Sequence, residues 1–478
     1  MTLAKLPFGL KSDIFFKMKQ SKILINNNLL KKIKGKEGIL HIILIGTKPD
    51  IIKQAPLILE LKKQKKDVLV IHSGQHYDWN LSGSLEKEFG ILPDINLNVR
   101  GFLYEQQSQI IGRLGSVLSE IKKMGRKILP YIYGDTTTAL AGGIASFANL
   151  ISTAHVEAGI RTMSPDRQIT LGLLSNFDVK EYFNELKENS SWVKGSYEPY
   201  PEQFDTRAVA PSVGIHLAPV RLDADNLLLE GYPAERIYIV GNPVVDAINY
   251  ARKLIPESKV FDQFPVLLNG GVIRFCIHRR ENVSCFQRFS ALYEAMTDLV
   301  REGRTILFIS LGATEKALEF YQLKTKTIEL AKKYKNFIYS PVWPSYVDVI
   351  TVMEKCSLVA TDSGSIQEEA NILGVPGAIL RFNTDRPEAV FAGSNILVPP
   401  IRKEIVLKII REIADNQELN QKMRGTPKIY GEDVSKKIIR LVEKTTKEES
   451  TFNIFNLMEH ERLGLDKKSF WRKGGASW

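Results

Sequence analysis

With 478 residues, the chain is long enough for two domains that each bury a core. Its composition, 44% hydrophobic and 25% charged, is that of a globular protein, and no run of about 18 apolar residues is present to form a membrane-spanning helix. The formal charge of +11 favours acidic partners such as phosphates, but the lysine runs LLKKIKGK, LKKQKK and VSKKIIR are scattered and carry no interleaved aromatics; they read as solvated helix faces, and no nucleic-acid partner is expected.

The leader, residues 1–37, mixes Lys and Asn with isolated apolar residues. It lacks a continuous apolar block followed by a small-residue cleavage site, so a secretory signal is not expected and the cytoplasm is the expected location. Cys276, Cys285 and Cys356 form no CxxC pair, which fits a reducing compartment.

From HIILIG (41–46), short β-branched runs alternate with helical patterns: a helix from about Pro49, then DVLVIHSG (67–74), ILPYIYGD, ISTAHVEA, IHLAPV and IYIVGN. This is the pattern of parallel strands joined by crossover helices. A second series follows GNPVVDAI, comprising VIRFCIHRR, TILFISLG, FIYSP, LVATDSG and PGAILR. The chain therefore reads as α/β, with a doubly wound Rossmann-like domain over 38–240 and another over 241–428. A C-terminal helix (429–448) and a tail (449–478) follow. Residues 163–200 are too many for an ordinary connection and are assigned as an insertion in the first domain, either a surface excursion or a lid.

Ligands of doubly wound sheets bind beyond the carboxyl ends of the strands. The polar residues expected there are Gln75 and His76 of HSGQHYD, Asp135 of YGDTTT, His155, Glu157 and Arg161 of HVEAGIRT, and His278 of CIHRREN. Each taken alone is as readily a capping or loop residue; their number shifts the balance toward a site. TDSGSIQEEA places Ser363, Gly364 and Ser365 at a helix start, where free N–H groups suit phosphate, although the same residues would serve as an ordinary N-cap. Arg386 and Glu388 of NTDRPEAV supply a charge partner and a ribose acceptor, or else a surface turn.

No GxGxxG, GxxxxGK[ST] or HExxH occurs, and His72 and His76 belong to a strand and a glycine turn, so dinucleotide, P-loop and zinc sites are not expected. Asp135, Glu157 and Glu202 make the first half rich in acids, while the second half reads as phosphate-binding. Carboxylates beside a phosphate-bearing ligand act as bases or acids when desolvation raises one of them toward neutrality.

These stretches resemble the motifs of the non-hydrolysing UDP-N-acetylglucosamine 2-epimerases, over residues 40–445 apart from 163–200. GTKPDIIKQAP is similar to that family's GTRPExIKxAP and SGQHYD to its TGQH. GDTTTALAG, HVEAGIRT, GNPVVDA, HRREN, TDSGSIQEEA and TDRPEA follow in the family's order. The resemblance implies a glycosyltransferase-B-like fold whose C-terminal helix crosses back to the first domain. It also implies interconversion of UDP-GlcNAc and UDP-ManNAc without NAD, metal or other cofactor. In that chemistry UDP is eliminated to leave a bound 2-acetamidoglucal and is then added back.

Carried over residue by residue, Asp135, Glu157 and Glu202 are the catalytic carboxylates, and His278 contacts the diphosphate. Lys48, Lys53, Gln75, Arg161, Arg207, Ser363, Gly364, Ser365, Glu369 and Arg386 form the substrate-binding set. The expected partner is a UDP-sugar, with a homodimer implied by family habit and glycan synthesis as the setting. Four positions depart from the pattern: Lys48 stands for arginine, Asp50 for glutamate, Ser365 for glycine, and the arginine after PEQ is displaced to Arg207. HYDWNLS lacks the family's QHRxML, so allosteric activation is not expected. An epimerase for a modified UDP-N-acetylhexosamine, a glycosyltransferase and a non-catalytic UDP-sugar binder are the competing readings.

Overall fold

The structure, a computed structural model, describes residues 23–25, 33, 38–75 and 83–447. His76, most of the leader and the tail 449–478 lie outside the described residues. The chain divides into two compact units. The first takes the chain up to Gly159, Phe204–Pro243 and the chain from Asp433; the second takes Ile160–Gln203 and Val244–Glu432.

In chain order the first half forms β1 (Leu24–Ile25), β2 (Ile39–Ile45), β3 (Val68–His72), β4 (Ile95–Asn96), β5 (Lys127–Tyr133), β6 (Ala154–Val156), β7 (Met163–Pro165), β8 (Trp192–Lys194), β9 (Ile215–Ala218) and β10 (Ile237–Ile239). The first unit's eight-stranded sheet runs β1-β4-β3-β2-β5-β6-β9-β10. It is parallel apart from the antiparallel edge pair of β1 and β4. β2 (ILHIILI) is buried almost throughout, as a central parallel strand covered on both faces requires.

Two helices begin where strands end. Lys48–Lys63 starts with a capping box between Thr47 and Asp50 and a proline in its first turn, and Thr136 caps Thr137–Ala148 by accepting from Ala139 N. The last described helix, Val434–Thr445, belongs to this unit and packs on Lys48–Lys63. Glu443 pairs with Lys66, and Lys127 Nζ donates to Thr446 O at 3.0 Å.

The second unit holds β11 (Val272–Cys276), β12 (Ile306–Ser310), β13 (Phe337–Pro341), β14 (Cys356–Thr361), β15 (Gly377–Ile379) and β16 (Asn395–Leu397). They form a fully parallel six-stranded sheet in the order β13-β12-β11-β14-β15-β16.

Residues 163–200 pack with this second unit, whereas the sequence reading places them in the first domain. β7 and β8 make an antiparallel hairpin, and Asp166 N donates to Ser191 O at 2.7 Å. Met163 and Thr384 exchange backbone hydrogen bonds of 2.9 and 3.0 Å. Trp192 meets Phe391 edge-on at 5.1 Å, and Tyr182 Oη donates to Leu397 O at 3.2 Å. Burial of Tyr182, Phe183 and Trp192 supplies an apolar incentive that the residue count alone does not display.

Candidate active site

In the first unit the acids gather where strands end. Glu157 directly follows β6, donates its N–H to Leu217 O at 3.0 Å, and holds φ at +68°. A left-handed non-glycine residue costs on the order of 1–3 kcal/mol, so the surroundings must hold it. Lys53 Nζ donates to Glu157 Oε2 at 3.0 Å with both side chains 1% exposed, and the same ammonium lies 5.3 Å from the Tyr133 ring centroid. Gly134, at φ +61°, ends β5; a Cβ there would come 3.9 Å from Glu157 Oε2. Asp135 follows.

Burial pushes the Asp50 carboxyl up to about 7. Hydrogen bonds from Thr47 oppose that rise, and the nearby Asp135 charge adds to it. Asp205, also buried, accepts from Thr137 Oγ1 at 3.1 Å. The sequence alone marks neither Asp205 nor, beyond its departure from the family pattern, Asp50, because a buried acid is not distinguishable from a surface one by spacing.

Other expected residues fall as follows. Gln75 Oε1 accepts from Thr138 N at 3.1 Å and Thr138 Oγ1 at 2.8 Å, at the start of Thr137–Ala148. Lys48 is the first residue of its helix. His155 lies inside β6, with Nε2 2.7 Å from Gly134 O, and so is not at the strand's exit as expected. Arg207 is partly exposed and pairs with Glu230 at 3.6 Å.

The second unit gathers cations and holds them with acids. His278 and Arg279 follow β11, and Asp362 follows β14. Asp362 accepts from the backbone N–H groups of both, each at 3.0 Å, and its Oδ1 lies 2.9 Å from His278 Nδ1. Burial alone would pull the His278 imidazole down, but the Asp362 charge leads the opposing effects and pushes it up to about 10.

Arg279 Nη1 donates to Glu202 Oε1 at 2.5 Å. Glu202 thus belongs to the second unit, whereas Asp135 and Glu157 belong to the first. Arg161 is fully buried here, and its Nη1 donates to Ile160 O at 2.8 Å.

Gly364–Leu373 opens behind Ser363, whose side chain makes no capping hydrogen bond to this helix, so the ordinary N-cap reading does not describe it. A Cβ on Gly364 would sit 2.8 Å from Asp385 Oδ2 and 3.5 Å from Arg279 Nη2: a close approach that only glycine permits. Ser365 lies in the first turn, half-buried, and Glu369 accepts from Tyr346 Oη at 3.1 Å.

Arg386 is buried. Its Nε donates to Glu368 Oε1 at 2.6 Å and its Nη1 to Asp385 Oδ2 at 3.1 Å, while Arg381 Nη1 reaches Asp385 Oδ1 at 2.5 Å. Burial would raise the Asp385 carboxyl, but Arg381, Arg386 and Arg279 hold it well below its ordinary range. Glu388 is buried too, and its Oε1 accepts from Tyr430 Oη at 2.8 Å, so it does not lie on a surface turn. The arrangement suits an anion: a helix start without its own side-chain cap, flanked by His278 and Arg279.

The chain matches the family described as UDP-N-acetylglucosamine 2-epimerase over residues 59–169 and 194–443; the break falls within the segment that packs as β7, β8 and their connecting helices. The UDP-N-acetylglucosamine 2-epimerase of Methanocaldococcus jannaschii is 32% identical over 388 residues, covering 80% of this chain and 93% of the relative. The Bacillus subtilis enzyme of that name is 28% identical over 406 residues, covering 82% and 92%.

Among solved structures, the Methanocaldococcus jannaschii UDP-GlcNAc 2-epimerase in complex with UDP-GlcNAc and UDP aligns with a TM-score of 0.69 at 28% identity, over 85% of this chain and all of that one. The Neisseria meningitidis enzyme bound to UDP-GlcNAc aligns with a TM-score of 0.68 at 26% identity, over the same shares. These likenesses bear out the α/β, glycosyltransferase-B-like fold with its two Rossmann-like units. With its motifs in order and its relatives matched over most of their length, the chain belongs to the UDP-N-acetylglucosamine 2-epimerase family of isomerases.

Proposed function

We propose that this chain interconverts UDP-GlcNAc and UDP-ManNAc by elimination and re-addition of UDP. A carboxylate takes the C2 proton while the C1–O bond breaks and its electron pair leaves with UDP. The C2–H electron pair forms the C1=C2 bond of a 2-acetamidoglucal. In the reverse direction UDP oxygen attacks C1 and a proton reaches the opposite face of C2. The C2 hydrogen is not acidic by itself, so positive charge must develop at C1 as UDP departs, and charge stabilisation at both ends matters.

Asp135, Glu157 and Glu202 are assigned to proton transfer, and His278 to the departing diphosphate. Ser363, Gly364 and Ser365 are assigned to phosphate, Glu369 to ribose, and Arg386, Lys48, Gln75 and Arg161 to substrate contacts. The observation that carries this reading is the buried Lys53–Glu157 pair, a carboxylate held 3.0 Å from an ammonium on a strained backbone at a strand's exit. The relatives' complexes with UDP-GlcNAc support the substrate class.

Incubation with UDP-GlcNAc in deuterated water tests it. Deuterium should appear at C2, with UDP-ManNAc accumulating. An unlabelled C2 with intact UDP binding would overturn the epimerase reading in favour of a transferase or a binder.

A further inference from the structure

His278 stands on a carboxylate that its own motif does not announce. Asp362 is fully buried at the end of β14, neighbour to β11 in the sheet, and the four donors around it all come from the His278–Asn282 stretch. They are the backbone N–H groups of His278 and Arg279, the Asn282 side-chain amide at 3.0 Å, and His278 Nδ1 at 2.9 Å. Asn282 Nδ2 also donates to Leu380 O at 2.9 Å, tying the turn to the residue after β15. A carboxylate whose only task was to cap a turn would need the backbone donors alone; here one oxygen is also committed to an imidazole nitrogen.

We propose that Asp362 is a positioning residue for the reaction. It fixes the His278 ring with Nδ1–H donated inward, leaves Nε2–H as the donor for the departing diphosphate, and sets the backbone from which Arg279 reaches Glu202. The inference rests on the reading of His278 as the group beside the diphosphate. Among the described residues Cys276 also faces the ring, with Sγ 3.6 Å from Nδ1. The upward displacement of the imidazole and the depressed Asp362 carboxyl agree with a charged pair across the neutral range. His278 is then a cationic donor throughout, and not the base at C2.

The test is Asp362→Asn, which keeps the shape and removes the charge. C2 deuterium exchange at pH 8 should fall by roughly 10- to 100-fold, as losses of ring-orienting partners do. The variant's rate should also decline with rising pH from about 6.5, the ordinary histidine value, where the wild-type rate stays level through pH 8.5. An unchanged pH profile overturns the proposal. Should the variant fail to fold, nitrogen-15 NMR of the wild-type histidines decides, with His278→Gln identifying the signal. The ring should remain imidazolium at pH 8.5, and titration near 6.5 overturns the proposal. Wild-type protein without C2 exchange would refute the epimerase reading, whereas active wild type with an ordinary His278 titration would refute only the role of Asp362.

Discussion

The two units use the same scaffold and opposite electrostatics. At the strand exits of the first unit, Asp50, Asp135, Glu157 and Asp205 are gathered, and the buried Lys53 ammonium engages Glu157. In the second, carboxylates are the supports: Asp362 under His278, Asp385 between Arg381 and Arg386, and Glu368 on Arg386. The same parallel β-α-β scaffold thus gathers acids at the strand exits of one unit and cations in the other, according to which sign is buried as support.

Three experiments break or sharpen that contrast. The largest effect belongs to Glu157→Gln, which should lower C2 deuterium exchange by about 10³-fold, within the usual range for a general acid or base. Exchange at the wild-type rate would remove Glu157 from the chemistry.

Next is Arg386→Ala. It removes a buried guanidinium and should weaken UDP binding by roughly 10- to 100-fold, as loss of a charge-assisted contact does; calorimetry with UDP reads it directly. Unchanged affinity would mean that Glu368 and Asp385 hold Arg386 purely for the fold.

The smallest effect is on stability against pH. Asp50 has a folded value of about 7 against an ordinary 3.8, so the folded state binds the extra proton and stability falls as pH rises from about 4 to 7. Asp50→Asn should flatten that slope in denaturant titrations at pH 5 and 8. His41 works in the opposite sense. Buried against Tyr131, its imidazole is lowered to about 4, so its contribution is lost as pH falls from 6.5 toward 4. If Asp50→Asn leaves the slope untouched, the soft acid of the first unit lies elsewhere.

Much of the scaffold was legible because a parallel strand buried on both faces must be apolar and must stop at a turn. HIILIG, ILPYIYGD and LVATDSG all carry that signature. The positions of Asp135, Glu157 and His278 just past strand ends were legible for the same reason, since the apolar run before each marks where its strand stops.

What failed was anything decided by distant packing. His155 looked like an exit residue, yet an acceptor 21 positions away, Gly134 O, keeps it inside β6. Glu202 looked like a member of the first unit, but the docking of Trp192 on Phe391 and of Met163 on Thr384 carries it into the second. Asp362 carries no signal of its own within TDSGS, because its partners, His278, Arg279 and Asn282, lie 80 to 84 positions away in sequence.

The hairpin of β7 and β8 has a consequence for variation in length. Because Pro165 faces Trp192 in its register and Asp166 meets Ser191, the stretch between them begins and ends at one closed hairpin mouth. Residues added at the turns between its helices lengthen loops whose ends are already joined, at an entropic cost that grows slowly with length, whereas Tyr182 and Phe183 pin the helix Val179–Glu185 itself. The hairpin and the Met163–Thr384 pair thus hold the two ends of the excursion in register whatever the length of those turns.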